Sequence, residues 1–482
     1  MTHLPYPVLS ESVSMTALAA FILAGCAAVG PDYHPPEIAV PPQWSVTADS
    51  HTLDPAMLAQ WWRQFNDSVL DNLVADALTA NLDLATARAQ LREARARRNL
   101  AGAQLGPSVD VSTSASRSES SSESGGGNTR EMYSAGFDAS WEPDIFGGLR
   151  RGVEAAEADL GTSVEVLYNT QVSLVAEVAR NYVDLRTSER RLNITQSSLA
   201  ASGETYDLVQ WRVQAELASE LDLAQSRTEL ESTRATLPPL HTAVTEAQNR
   251  LAILLGRTPG ELKSRLVATG TVPLSTGVVP VGIPADTLRQ RPDVRAAERK
   301  LAAQTARLGE AEAARYPKFN LSGTLGLEAL TFTGLGNGDA ATRSLLGSIS
   351  APIFDSNRIR SDIEIQDALV KQARLAYQSA VLTALEDVEN ALVTMANAYE
   401  RQARLQQAAD SARETLEIAQ QQYASGLVDF LTVLDSQRTL LNLDDQLAGN
   451  TGDLAIAYIQ LYKALGGGWS PDPKLISIRK PS

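Results

Sequence analysis

The sequence predicts a mainly α-helical chain carrying membrane β-strands, built as two structural repeats of helix, strand, strand and long helical hairpin. Three observations carry that prediction. The chain repeats itself at an offset of 210 residues: Leu91, Arg97, Pro107 and Ser112 recur as Leu301, Arg307, Pro317 and Ser322, and Glu154, Arg191, Gln210, Leu221, Ser226 and Gly256 as Glu364, Arg401, Gln420, Leu431, Ser436 and Gly466. Four short segments, two per copy, alternate apolar with polar residues. The rest is rich in Ala, Leu, Gln, Glu and Arg with only 5% aromatics, a mix suited to long helices. A period this long excludes a solenoid of small repeats and points to two copies of one extended architecture.

Residues 1–25 read as a signal peptide, because Met15 to Gly25 is apolar but too short to span a bilayer. No Lys or Arg precedes that run, so a start at Met15 and an atypical leader both stay open. The run ends at the only cysteine, in the context Leu23-Ala24-Gly25-Cys26. This resembles the lipobox of bacterial lipoproteins, which implies N-palmitoyl and S-diacylglycerol groups on Cys26; Ala27 beside it favours outer-membrane sorting. Residues 26–66 form a Pro-rich linker ending in Trp61, Trp62 and Phe65.

The first copy, 67–256, opens with one helix over about 67–104, stopped by Gly106 and Pro107. Strands follow at about 108–118 and 131–142, where Val109, Val111, Thr113 and Ala115 oppose Asp110, Ser112 and Ser114, and Tyr133, Phe137 and Trp141 oppose Ser134, Asp138 and Ser140. A helical hairpin over about 150–256 turns at Ala215 to Ser219; its long arm would measure on the order of 100 Å if continuous. Its stripe of Leu167, Leu174, Val178 and Leu185 is a coiled-coil seam. Residues 257–284 lack helical period and form a connector. The second copy, 285–466, has strands at about 318–329 and 344–353 and a hairpin over about 358–465 that turns at Ser425 to Asp429; residues 467–482 form a tail. Gly426 suits a left-handed C-cap. Its counterpart is Glu216, so the first turn is expected to be made differently.

Strands of about ten residues suffice to cross a bilayer obliquely, and no other apolar run is long enough to cross as a helix. Four strands cannot close a barrel, since closure begins at about eight, and open edges in lipid leave backbone groups unpaired. Several copies must therefore share one barrel. The net charge of -15 argues against nucleic acid as a partner. His3, His34, His51 and His241 are scattered, and no HExxH, paired-Cys, phosphate-loop or nucleophile-elbow motif is present, so neither enzyme activity nor a metal or cofactor is expected.

Cys26 followed by Val29-Gly30-Pro31-Asp32-Tyr33, Trp61-Trp62, Pro284 to Leu288 running into Arg291-Pro292-Asp293-Val294, Pro352-Ile353-Phe354-Asp355, and Tyr423 to Asp435 together mark a family. With them the chain resembles the TolC-like outer-membrane efflux proteins, in their lipoprotein branch (NodT-type, serving RND efflux systems). The resemblance implies a homotrimer forming a twelve-stranded barrel in the outer membrane of a Gram-negative bacterium, continued by a twelve-helix periplasmic tunnel. It implies a passive duct for small molecules, served by a periplasmic adaptor (membrane fusion) protein and an inner-membrane pump of the RND type. It also implies a gate at Asp222, Tyr423, Leu431, Asp435 and Arg438, and adaptor-contact turns at Glu216, Leu217, Gly426 and Leu427. Two alternatives are a duct for type I protein secretion and a lipid-anchored coiled-coil scaffold without a pore; the scaffold leaves four matched strands unexplained.

Overall fold

The computed structural model describes residues 28–45, 55–123, 126–266, 270–275, 281–282 and 284–471. The signal segment and Cys26 lie outside the described residues, as do parts of the connector and residues 472–482 of the tail. In chain order the elements are α1 (Pro55–Ala59), α2 (Ser68–Ala80), α3 (Leu82–Ala103), β1 (Ser108–Glu119), β2 (Thr129–Trp141), α4 (Gly148–Gln214), α5 (Glu220–Ala235), α6 (Leu237–Leu254), α7 (Pro284–Gln290), α8 (Pro292–Ala313), β3 (Lys318–Ala329), β4 (Ala341–Ser350), α9 (Arg358–Ala424) and α10 (Phe430–Ala464). The repeat is written into these bounds: α4 and α9 are each 67 residues long, and both ends are offset by 210.

Three expectations need correction. The helix expected over 67–104 is two helices, broken at Asn81, whose backbone is extended and whose side chain accepts from Leu84 N at 2.9 Å. The return arm of the first hairpin is likewise two helices, α5 and α6, because Pro238 and Pro239 lack the N–H groups that would bond back across Thr236. The matching positions of the second copy are Ala448 and Gly449, and α10 runs unbroken. The fourth strand lies at Ala341–Ser350 rather than 344–353, because Pro352 cannot donate to a ladder.

The chain folds as two compact units, and each draws on both repeats. One comprises residues up to Glu37 with Gln90–Ser163 and Ala296–Gln378. It holds a four-stranded antiparallel sheet in the order β1-β2-β3-β4. The register places Val111, Phe137, Leu325 and Arg343 in one row, and Ser112, Gly136, Gly326 and Thr342 in the next. Side chains alternate between faces along a strand. One face therefore carries Val109, Val111, Tyr133, Phe137, Trp141, Leu321, Leu325, Leu345 and Ile349, while the other carries mostly Ser, Thr, Asn and Asp. Hydrogen bonds cross the polar face, from Ser112 Oγ to Asp138 Oδ2 at 2.5 Å, between Ser114 and Ser134 at 2.8 Å, and between Thr324 and Ser344 at 2.7 Å. The outer edges of β1 and β4 have no partner strand among the described residues.

The same unit holds the segment that follows the cysteine. Val29 N donates to Phe146 O at 3.0 Å. The nearly buried Arg151 donates to Val29 O and Gly30 O, each at 3.1 Å, and to Asp32 Oδ1 at 2.8 Å. Gly30 adopts φ +91°, and a Cβ there would fall 2.4 Å from Gly309 Cα, so only glycine fits. Tyr33 completes the strap with a 3.3 Å bond from its hydroxyl to Glu298.

The second unit comprises Ile38–Ala89, Val164–Arg295 and Ser379–Ser482. Trp61, fully buried, stacks on Tyr462 at 5.2 Å and meets Trp62 and Phe65 edge-on. Leu70, Leu73, Leu251, Leu255, Leu461 and Leu465 are buried in the same unit. Arg291 Nη1 reaches Ala464 O at 3.1 Å, and its Nη2 pairs with Asp293 at 2.6 Å and Asp387 at 2.9 Å. Among the described residues no helix is long and apolar enough to cross a membrane.

Candidate functional site at the hairpin tips

The expected gate and adaptor-contact residues all belong to the ends of the two hairpins, within the second unit. Each turn is a Schellman motif. At the first, Glu216 N donates to Val213 O at 2.9 Å and Leu217 N to Arg212 O at 2.7 Å; at the second, Gly426 N donates to Tyr423 O at 3.1 Å and Leu427 N to Gln422 O at 2.8 Å. Glu216 sits at φ +62° and Gly426 at φ +74°. The expectation that the first turn is built differently is thus overturned. The closing bonds are the same, and Glu216 accepts the left-handed strain, about 1 kcal/mol or more, that glycine avoids.

Each return helix is then capped at the same repeat position. Ser219 accepts from Asp222 N at 3.2 Å while the Asp222 carboxylate accepts from Ser219 N at 3.0 Å, a reciprocal capping box. Asp429, 210 residues on, accepts from Thr432 N at 3.0 Å and from its hydroxyl at 2.7 Å, and these bonds hold its carboxyl below the usual range. Asp222 therefore has a local structural task.

Behind the turns, Val209, Phe430 and Leu434 form a small buried knot, with Val213, Leu223 and Tyr423 packed around it. Tyr423 lies 5.5 Å from the Phe430 ring, and the Arg212 guanidinium stands 4.5 Å over its face. Burial pushes the Tyr423 hydroxyl pKa up, with Arg212 opposing and Asp222 adding to the rise. Arg438 Nε meets Glu229 Oε2 at 2.5 Å, with the Glu229 side chain only 9% exposed. Among the described residues Arg438 pairs with Glu229 and not with Asp435. Asp435 is exposed and lines a shallow groove with Thr415, Leu431, Thr432, Ser436 and Thr439. Leu217, Leu427 and Leu431 stand 69%, 75% and 45% exposed, which leaves apolar side chains in water at both tips.

Sequence reasoning missed Glu229 and Arg212. The positions 210 residues after them hold Thr439 and Gln422, so neither stood out by recurrence, although each links one hairpin to the other.

Comparison with known proteins bears on the whole chain. The sequence profile of the outer membrane efflux proteins matches residues 73–257 and 283–467, one match for each repeat. The chain is 30% identical to nodulation protein T of Rhizobium leguminosarum bv. viciae over 97% of its own length and 95% of that protein. It is also 30% identical to the probable efflux pump outer membrane protein TtgC of Pseudomonas putida, over 96% of each. The solved structure of the outer-membrane channel OprN superposes with a TM-score of 0.87 at 33% identity, covering 92% of this chain and all of that one. The two matched repeats, the two-faced sheet and the paired helical hairpins agree with one another, and the chain belongs to the outer membrane efflux protein family, whose members are channels and not enzymes.

Proposed function

We propose that this chain is the lipid-anchored outer-membrane exit duct of a tripartite efflux system, working as a homotrimer that passes small molecules delivered by a periplasmic adaptor and an inner-membrane pump of the RND type. The observation that carries the reading is the four-stranded sheet, apolar on one face, hydroxyl-rich on the other and open at both edges. Such a sheet is a segment of barrel wall, with a lipid side, a water side and two edges that must be closed by other copies. The similarity to TtgC, named as an efflux pump component, supports small-molecule cargo over protein. The docked strap at 29–33 supports the lipid on Cys26, because it begins three residues after the cysteine and is tied beside the end of β2. At the tips, rings of Asp435 and Leu431 from three copies would form a narrow charged and dry constriction, with Tyr423, Asp222 and Arg438 around it. The exposed turns at Glu216, Leu217, Gly426 and Leu427 would receive the adaptor. The driving energy belongs to the pump.

The test is reconstitution in planar bilayers with native mass measurement on the same preparation. A trimer with small, discrete conductance steps is expected; a monomer without conductance would support the scaffold. Deletion of the gene should sensitise cells to small toxic compounds. Loss of a secreted protein without such sensitivity would assign the duct to type I secretion instead.

A further inference from the structure

The apolar face of the sheet carries charge in one zone only, at the end next to the two long hairpin loops. Arg117 and Glu119 close the row on β1, Glu131 opens it on β2, and Arg343 lies two residues inside β4. A charge on a lipid-facing strand is costly near mid-membrane and tolerated toward its edge. Arg117 and Glu131 already pair within the chain at 3.4 Å. Glu119 and Arg343 remain, both exposed and without an ion pair or side-chain hydrogen bond among the described residues. They carry opposite charge, share one face, and stand on the two open edges of the sheet, β1 and β4.

We infer that Arg343 of one copy pairs with Glu119 of the next, and that this contact sets the register of the strand seam between copies. The inference rests on the shared-barrel reading. Successive residues face opposite sides, so a seam that keeps the apolar face continuous can change register only in steps of two. Opposite Glu119, Arg343 meets it directly, within the range at which cross-strand charges interact; opposite Arg117, it faces a like charge at closer range than the diagonal Glu119, and repulsion disfavours that register. Two steps farther down β1, at Ala115, Arg343 has Arg117 for its nearest charged diagonal neighbour, and repulsion disfavours that slip. The zone holds two arginines and two glutamates, so its charge complements another copy of itself better than it complements an anionic lipid.

The experiment compares the wild-type chain with E119R, R343E and the exchanged pair E119R/R343E, reading the fraction of oligomer that survives heating in mild detergent. Each single change is expected to lower the midpoint of oligomer loss by several degrees, and the exchanged pair to recover at least half of that shift. Equal midpoints in all four proteins, or an exchanged pair no better than the sum of the singles, would overturn the ion pair. A wild-type chain that forms no oligomer overturns the shared barrel itself, which separates the two failures. Should a single variant fail to insert, E119Q and R343Q serve in its place with smaller shifts of the same sign. Sensitivity confined to R343E, and rising with phosphorylated outer-leaflet lipid in the detergent, would assign Arg343 to lipid and overturn the seam contact.

Discussion

Asn81 and Arg291 stand 210 residues apart and perform one task with different chemistry. Asn81 Nδ2 donates to Leu254 O at 2.9 Å, and Arg291 Nη1 donates to Ala464 O at 3.1 Å. The two acceptors are themselves 210 residues apart, each the last residue of a return helix, where carbonyls lack helical partners. In each copy a short helix stops and restarts at this residue, because its side chain holds the carbonyl of a distant helix end.

Removing either donor should loosen the second unit. Asn81→Ala loses a buried donor and an N-cap acceptor and should cost about 1–2 kcal/mol. Arg291→Ala should cost about 3 kcal/mol, toward the low end for a broken buried pair because Asp387 is half in water. Thermal unfolding of the purified protein ranks the two.

The acid limb of stability should depend on Asp293. Burial alone pushes its carboxyl pKa up, but the bond and charge of Arg291 outweigh burial and hold it below the usual value. A lowered folded pKa contributes stability above the unfolded pKa, about 3.9, and loses it as pH falls through the folded value. Asp293→Asn should therefore flatten the loss of stability below about pH 4. Melting scans from pH 7 to pH 3 would show this as a shallower slope in the variant.

At the turns, Glu216→Gly should stabilise by about 1 kcal/mol by relieving the left-handed strain. Gly426→Trp takes on the left-handed strain of about 1 kcal/mol that Glu216 already bears, but its Cβ would meet nothing within 4 Å, so oligomers should stay intact while transport is abolished if this turn docks the adaptor. Intact oligomers with full transport would remove the turn from the adaptor contact.

For the constriction, Asp435→Ala with Arg438→Ala should raise single-channel conductance. The pairing with Glu229 adds a second expectation: Arg438→Ala alone leaves a nearly buried carboxylate without its cation and should also lower the melting temperature, which Glu229→Gln in the same chain restores in part. Conductance and melting measured on one set of variants separate the gate from the packing.

At the N-terminus, Cys26→Ser should abolish incorporation of labelled palmitate. Arg151→Ala should leave labelling unchanged while making residues 28–37 more open to limited proteolysis, since Arg151 supplies three of the bonds that hold them.

Elements set by local pattern were legible in the sequence. Strict alternation located β1, β2 and β3 within two residues at each end, and Gly426 marked its turn. Much of what escaped was decided at long range. Asn81 breaks a helix for a carbonyl 173 residues away, and no local signal announces it. Glu216 looked unsuited to a left-handed cap, yet the bonds that close the turn overrode residue preference. Pro238 and Pro239 are a local breaker signal that the single return arm expected up to residue 256 did not include. The capping box of Ser219 and Asp222 is a signal three residues long and was open to local reading, whereas the partner of Arg438 depended on which helices pack together.

The two tips close with the same turn but present different charges. Glu216, Glu220 and Asp222 cluster at the first, whereas at the second the nearest acid is Asp429, committed to its own helix cap. A ring of three chains would thus alternate more acidic and less acidic tips, like a dial with two kinds of mark. A cap protein with six equal fingers would have to settle on one of two rotational phases, one tip apart, and the charge at Glu216 tells those phases apart.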